Sequence, residues 1–321
     1  MTAQFALPWW HDLTPRQIAG VAEADGVAIL PLAAIEQHGE HLPLSTDLDI
    51  ALGLLQAALP KLRSGLPVCV LPPLAVGLSL EHRAFAGTLS LSPETALATL
   101  VELGDSVARA GFRRLVLFNS HGGNKAVLDL AALKLRVAQR MLVVRANYFR
   151  FAPPPDALPA AELRHGLHGG ALETAMMLHL APHKVRVDAI GDFASIGRDM
   201  AAHGRVLGPE GEAGFAWMAQ DLNPGGATGD ARLADAALGA RLVEHALHQA
   251  EQFFFLEGLL DEIHGAFFHG VHGHGHVAVA GDEHDGQGGL ALDQSILKLQ
   301  ARHAAHADVH NQAGDFAGVV A

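Results

Sequence analysis

Four short apolar runs, spaced along the first half of the chain with helix-patterned segments between them, constrain the fold more than any other feature. They lie at residues 26–35 (GVAILPLAAI), 68–74 (VCVLPPL), 114–119 (RLVLFN) and 141–147 (MLVVRAN). Each has the length of a buried strand. Residues 50–62, 93–110 and 125–140 carry apolar side chains at i, i+3 and i+4, and Ser92-Pro93-Glu94 reads as an N-cap followed by proline at the first helical position. Strand and helix units in alternation predict a mostly parallel sheet covered on both faces, a three-layer α/β/α domain. In such a fold, ligands sit beyond the C-terminal ends of the strands.

The segment APPPDALP at 152–159 reads as a rigid turn, and helical signals resume at 170–180 and 231–255. A single α/β domain is therefore predicted over residues 1–264. After Gly265 the composition changes to HGVHGHGHVAVAGDEHDGQGG. From His264 onward there are nine of the 21 histidines but only two of the 22 Lys/Arg, Lys298 and Arg302. Such a segment adds no ordinary core, so residues 265–321 are predicted to be a poorly ordered His/Gly/Ala-rich tail with at most a weak helix at 293–305.

Charge and cysteine content narrow the function classes. The balance of 22 basic against 34 acidic residues gives −12, and no Lys/Arg block is present to neutralise phosphates. That argues against a nucleic-acid partner and for a small molecule. The single cysteine, Cys69, excludes an intrachain disulfide and fits a reducing compartment. The N-terminal MTAQFALPWWHDLTPRQ lacks a basic region followed by an apolar one, and no apolar stretch is long enough to span a bilayer. A soluble, cytoplasmic protein without a membrane partner is expected. Histidine is the commonest metal ligand, so the placement of the 21 histidines decides their meaning.

Three constellations stand at strand ends or helix starts. In Glu36-Gln37-His38-Gly39-Glu40-His41, Glu36 and His38 are two apart. In extended chain that spacing turns both side chains to one face, and Gly39 lets the chain turn away. Asp47 returns from a short loop. Two carboxylates and an imidazole suit zinc, manganese or iron with open positions, and a carboxylate can bridge two ions. The bland alternatives are a hydrated loop for Glu36 and His38 and a helix N-cap for Asp47.

The second constellation is Asn119-Ser120-His121-Gly122-Gly123-Asn124, with His121 at the edge of the expected cleft. Ser120, Gly122 and Gly123 are candidate substrate-binding positions, because paired glycines allow backbone to approach a ligand closely. The pattern is neither GxGxxG nor a P-loop, and no G-x-S-x-G elbow supports a serine nucleophile. The third is His168-Gly169-Gly170-Ala171-Leu172-Glu173-Thr174, opening a helix. Glu173 falls where the helix dipole favours a carboxylate in any case. His168 lies on a glycine-flanked loop that reads as free to swing toward a substrate.

Taken together, these segments resemble the creatininase (creatinine amidohydrolase) family. The matching stretches are EQHGEHLPLSTD at 36–47, SLEHRAFAGTLSL at 79–91, NSHGGN at 119–124, HGGALET at 168–174 and GGATGD at 225–230, in order from about Ile29 to about His264. The resemblance implies an α/β/α fold with two divalent ions (Zn, Mn or Fe) at the strand ends and hydrolysis of a non-peptide or cyclic C–N amide bond by a metal-activated water. One ion would take Glu36, Asp47 and His121, and the other His38, Asp47 and a further carboxylate. In creatininase that carboxylate follows the third-motif histidine by two residues. Here the position is Gly123, so Glu173 is the expected replacement, with His168 the candidate to protonate the leaving nitrogen.

The resemblance does not fix the substrate, because the family also includes deformylases acting on formamidopyrimidine intermediates, peptidase-like maturation proteins and hydrolases of cyclic keto-sugars. Trp9, Trp10 and Trp217 are not adjacent to the motifs, whereas tryptophans close the creatininase pocket. An amide, lactam or formamide is expected, and a homo-oligomer, a hexamer by resemblance. The competing reading is a catalytically inactive relative that binds a metal or small molecule.

Overall fold

The structure, a computed structural model, describes residues 7–61 and 66–254, all within the compact unit Met1–Glu262. The tail reading, including the helix at 293–305, falls outside the described residues. The central sheet has four parallel strands, β1 (Val27–Leu32), β2 (Val68–Val70), β3 (Arg114–Asn119) and β4 (Leu142–Asn147), in the order β2-β1-β3-β4. The register pairs Val27 with both Val68 and Arg114, and Arg114 with Leu142. β1 is buried along its whole length, as the strands of a parallel sheet covered on both faces should be.

Period-2 alternation along the strands divides the apolar side chains into two cores. Val27, Ile29, Val116 and Phe118 face one way, against α2 (Thr46–Ala58) and two later helices. Ala28, Leu30, Leu115 and Leu117 face the other, against α1 (Pro15–Glu23), α3 (Pro93–Arg109) and α4 (Lys125–Gln139). Each fully buried Ile or Leu contributes about 1.5–3 kcal/mol. Beyond β4 come α5 (Ala160–His165), α6 (Ala171–Leu180), α7 (Ile196–Ala202), α8 (Ala219–Leu222) and α9 (Ala236–Phe254). Residues of α6 and α9 complete the first core through Met177 and Leu242.

Local chemistry sets the boundaries. Thr14 and Gln17 form a capping box ahead of Pro15, and Ser92 Oγ accepts from the Thr95 amide at 3.2 Å. The strand predicted at 26–35 stops at Leu32, because Ala33 donates to the Leu74 carbonyl and the chain leaves the sheet. The one predicted at 68–74 ends at Val70, ahead of Pro72 and Pro73, which have no amide proton to give a ladder. The helix predicted at 231–255 begins at Ala236, where Asp235 Oδ1 accepts from the Leu238 amide at 2.6 Å. The helix predicted at 50–62 starts earlier, at Thr46, which moves Asp47 into its first turn.

Candidate metal centre

The site lies where β1 and β3 end. Beyond β1, the Glu36 amide donates to the Leu44 carbonyl, the Gln37 amide to Thr88 Oγ1 at 3.2 Å, and the chain turns at Gly39 with φ +74°. Glu36 and His38 share a face as their spacing predicts, with Glu36 Oε1 4.0 Å from His38 Nε2. His38 Nδ1 lies 3.1 Å from the Glu36 carbonyl. A carbonyl only accepts, so Nδ1 carries a proton and Nε2 is the ligand-type nitrogen.

Asp47 does not cap α2; Ser45 occupies the cap position. Its carboxylate instead spans two histidines, with Oδ1 3.4 Å from His38 Nε2 and Oδ2 3.3 Å from His121 Nδ1. His121 follows β3 on a turn fixed by asparagines. Asn119 Oδ1 accepts from the His121 amide and from Asn124 Nδ2, while Asn124 Oδ1 accepts from the Leu78 amide. His121 Nε2 donates to the Leu78 carbonyl at 2.8 Å, which turns Nδ1 toward Glu36 Oε1 at 3.2 Å. Backbone acceptors thus orient both imidazoles, as metal-site histidines require.

Glu173 stands in the first turn of α6, where its Oε2 accepts from the Gly169 amide at 2.6 Å and its Oε1 lies 4.0 Å from His38 Nε2. His168 differs from the sequence expectation. Its loop is pinned, not free: His168 Nε2 donates to the Gln37 carbonyl at 2.5 Å, and its own carbonyl accepts from Thr228. The ring is buried between His38 and His82, with centroids 4.2 and 4.1 Å away. Its Nδ1 points at Glu36 Oε1, 3.7 Å away.

The three candidate substrate-binding positions separate. Ser120 Oγ donates to the Leu32 carbonyl at 3.0 Å and is buried, so it ties β3 to β1 rather than facing a cleft. Gly122 borders open space. At Gly123 a Cβ would lie 2.3 Å from the Leu78 carbonyl, 2.5 Å from His121 Nε2 and 2.7 Å from Glu81 Oε1. The room a side chain would need at 123 is already taken.

Three neighbours of the site had no signal in ligand spacing. Glu81 Oε1 lies 3.9 Å from His121 Nε2. His82 Nδ1 accepts from Gln37 Nε2 at 2.7 Å, which also donates to the Gly226 carbonyl, and His82 Nε2 lies 3.5 Å from Glu36 Oε1. His41 Nε2 pairs with Thr174 Oγ1 at 3.0 Å under the ring of Phe193. Glu81 and His82 fall within one of the family-like stretches, 79–91.

The electrostatics call for a cation. Glu36 Oε1 and Oε2, His38 Nε2 and Asp47 Oδ2 are buried without a hydrogen-bond partner, which is costly for charged groups unless something else compensates them. Burial opposes charge on His38, yet Asp47, Glu173 and Glu36 outweigh it and hold the imidazole up at about 9. His121, also buried, is held well above its ordinary value by Glu36 and Asp47. Asp47 is pulled below the usual carboxylate range by His38 and His121 in spite of burial. Burial and the neighbouring His38 push His168 down to about 4, and burial with three surrounding histidines pushes His82 lower still. Imidazole protons stand where a metal would compensate the carboxylates. The donor atoms fall into sets within 4.8 Å of one another: Glu36, Asp47 and His121; His38, Asp47 and Glu173; and Glu36, His38 and His168. Asp47 belongs to two of them.

Comparison with known proteins gives one family. The creatinine amidohydrolase (creatininase) family model matches residues 11–254. A mycofactocin precursor peptide peptidase of Mycobacterium tuberculosis (strain CDC 1551 / Oshkosh) is 37% identical over 166 residues, covering 50% of this chain and 61% of that protein. The match thus spans about three fifths of that relative. A creatinine amidohydrolase of Pseudomonas putida is 35% identical over 191 residues, 54% of this chain and 72% of that one. A solved mutant creatininase of Zn-Zn type superimposes with a TM-score of 0.64 at 26% identity, covering 79% of this chain and 99% of that one.

Proposed function

Since the chain belongs to the creatininase family, we propose that it is a metal-dependent amidohydrolase that cleaves a C–N amide bond of a small molecule, using two divalent cations (Zn, Mn or Fe). Glu36, Asp47 and His121 would hold one ion, and His38, Asp47 and Glu173 the other. The observation that carries this reading is Asp47, buried with one oxygen on each histidine and common to both sets. Ions bound there supply Lewis acidity, polarising an amide carbonyl and lowering the pKa of water.

The protein's own part is orientation and proton movement. Leu78 and Glu36 carbonyls hold the ligand nitrogens of His121 and His38 toward the carboxylates. His168 Nε2 is committed to the Gln37 carbonyl, so its bare Nδ1 is the atom that takes a proton from the attacking water and returns it to the leaving nitrogen. An amide nitrogen leaves poorly until it is protonated.

A lactam, formamide or simple amide is the preferred substrate class. A second reading, hydrolysis of a peptide bond in a precursor peptide, is favoured by the 37% identity to a peptidase of that description. No helix among the described residues is long and apolar enough to cross a membrane. By family resemblance the enzyme works as a homo-oligomer, a hexamer.

Metal analysis with a hydrolysis panel of amides, lactams, formamides and short peptides tests the proposal. Two equivalents of metal and turnover of one class support it, and the class turned over chooses between the two readings. Metal without turnover of any class leaves an inactive binding protein.

A further inference from the structure

Glu162 is a buried carboxylate that the proposed chemistry does not use. It lies in the first turn of α5 and is 7% exposed. Backbone amides from two other segments meet its charge: Oε1 accepts from the Ala171 amide at 2.8 Å, and Oε2 from the Asp230 amide at 2.7 Å. Ala171 is the first residue of α6, and Gly170, at the cap position, has no side chain to offer. Glu162 therefore satisfies an amide that α6 itself leaves without a partner, at the helix end where the dipole favours negative charge.

The surrounding chain is fitted to this carboxylate. A Cβ at Gly166, Gly170 or Gly229 would lie 2.2, 2.6 or 2.6 Å from Glu162 Oε1. Gly166 and Gly170 have φ of −81° and −80°, values open to any residue, and the nearest obstacle to a side chain at either is the carboxylate oxygen. Thr228 joins the same two segments: its amide donates to the His168 carbonyl at 2.7 Å, and its Oγ1 accepts from the Leu167 amide at 3.1 Å. Residues 167–171 are thus fastened to 228–230 by Thr228 and through both oxygens of Glu162. Glu173 springs from the fastened end, with its Oε2 on the Gly169 amide at 2.6 Å.

We infer that Glu162 is a positioning residue of the metal centre: it fixes the first turn of α6, and with it Glu173 Oε1, 4.0 Å from His38 Nε2, where the ion of His38, Asp47 and Glu173 is held. This inference rests on Glu173 being a ligand of that ion. Hydrogen bonds from backbone amides to a carboxylate are about twice as strong as neutral ones. A glutamine cannot replace them, because its NH₂ group would face one of the two amide donors. Outer partners that orient a ligand in this way strengthen its hold on the metal.

Zn²⁺ titration of the full chain by calorimetry, with amide hydrogen exchange, tests the inference. Glu162→Gln, which keeps the size of the side chain, should weaken one Zn²⁺ equivalent about 10–100-fold. That equivalent should be the one Glu173→Gln loses, and the other should be unchanged. Amide exchange should quicken at 167–173 and 228–230 but not in β1 or β3. Glu162→Asp keeps the charge without the reach to both amides, so it should weaken the same equivalent to a smaller degree, and it carries the test if Glu162→Gln does not fold. In a Glu173→Gln background, Glu162→Gln should have no further effect on Zn²⁺ affinity. Variants at 162 that melt lower yet bind both equivalents as tightly as the unsubstituted chain, or that lose affinity for both alike, overturn the inference and leave Glu162 an ordinary structural carboxylate. Glu173→Gln retaining both ions with full affinity overturns the assignment of Glu173, and the role of Glu162 with it. None of these readouts uses hydrolysis, so failure of the amidohydrolase reading and failure of this inference are separate results.

Discussion

His168 lies against His82 with ring centroids 4.1 Å apart and planes at 26°, and this stack, with the Gln37 carbonyl on Nε2, decides which nitrogen of His168 faces Glu36. Proton transfer depends on that orientation. His168→Ala should keep both ions and lose about 10²–10⁴-fold in kcat, the usual size of an acid–base contribution. His82→Ala, which removes the stack and leaves His168 in place, should lower kcat by up to about 10²-fold with metal content unchanged. Steady-state kinetics with metal analysis on both variants checks this pair.

Asp47 and Glu173 should fail differently. Asp47→Asn removes the carboxylate shared by two ligand sets and should reduce bound metal and abolish turnover. The fold should survive, because Ser45 and not Asp47 occupies the cap position of α2. Glu173→Gln should lower affinity for one ion only, and excess metal should restore part of the rate. Unchanged metal stoichiometry in Asp47→Asn would contradict the bridging role.

The pH dependence of the metal-free protein follows from opposed histidines. His38, at about 9, and His121 have folded-state pKa values above their unfolded ones. The contribution of His38 to stability is full below about pH 6.5 and is lost as pH rises through 9, and that of His121 is lost in the same direction. His168 and His41, both about 4, are buried neutral, so their contribution is present above pH 6.5 and lost as pH falls toward 4. Stability should therefore peak near pH 6.5, and metal should flatten the alkaline side by replacing the imidazole protons. Melting curves with and without Zn²⁺ across pH 4–9.5 test this. Between pH 6.5 and 9, metal affinity should rise about tenfold per pH unit for each proton displaced, as calorimetry in buffers of different ionisation enthalpy can count.

Gly123→Ala should destabilise the protein by about 1–3 kcal/mol through overpacking. The nearest obstacle is the Leu78 backbone carbonyl, which cannot swing aside. Adding Glu81→Ala should recover only part of the loss. Chemical denaturation of Gly123→Ala, Glu81→Ala and the double variant measures both effects.

The sequence reading succeeded where pattern is local. β3 has both ends where the apolar run 114–119 begins and ends, and α3 starts at the proline after its Ser92 cap. It missed the first turn of α2, because Thr46, Asp47 and Asp49 interrupt the apolar period, and Asp47 is polar for the sake of the site, not of the helix. Glu36, His38, Asp47, His121 and Glu173 were legible as candidates from their places at strand ends and helix starts. Glu81 and His82 were not, since they reach the centre only through tertiary folding. His168 was read as mobile because of its flanking glycine, but Gly169 serves close approach: a Cβ there would lie 3.1 Å from the His38 carbonyl. A glycine in sequence does not say whether it frees a loop or lets one be packed tightly.

The sharing of Asp47 between ligand sets has a consequence for how the chain folds. The donors come from the ends of β1 and β3 and from the first turns of α2 and α6, segments widely separated along a polypeptide whose lone cysteine leaves it without an internal disulfide. Ions bound there would act as cross-links closing large chain loops, and closing large loops removes more disorder from the unfolded chain than closing small ones. Chelation would then slow refolding as well as stop hydrolysis, since the sheet and the α6 region would have to find each other without the ion that pins them.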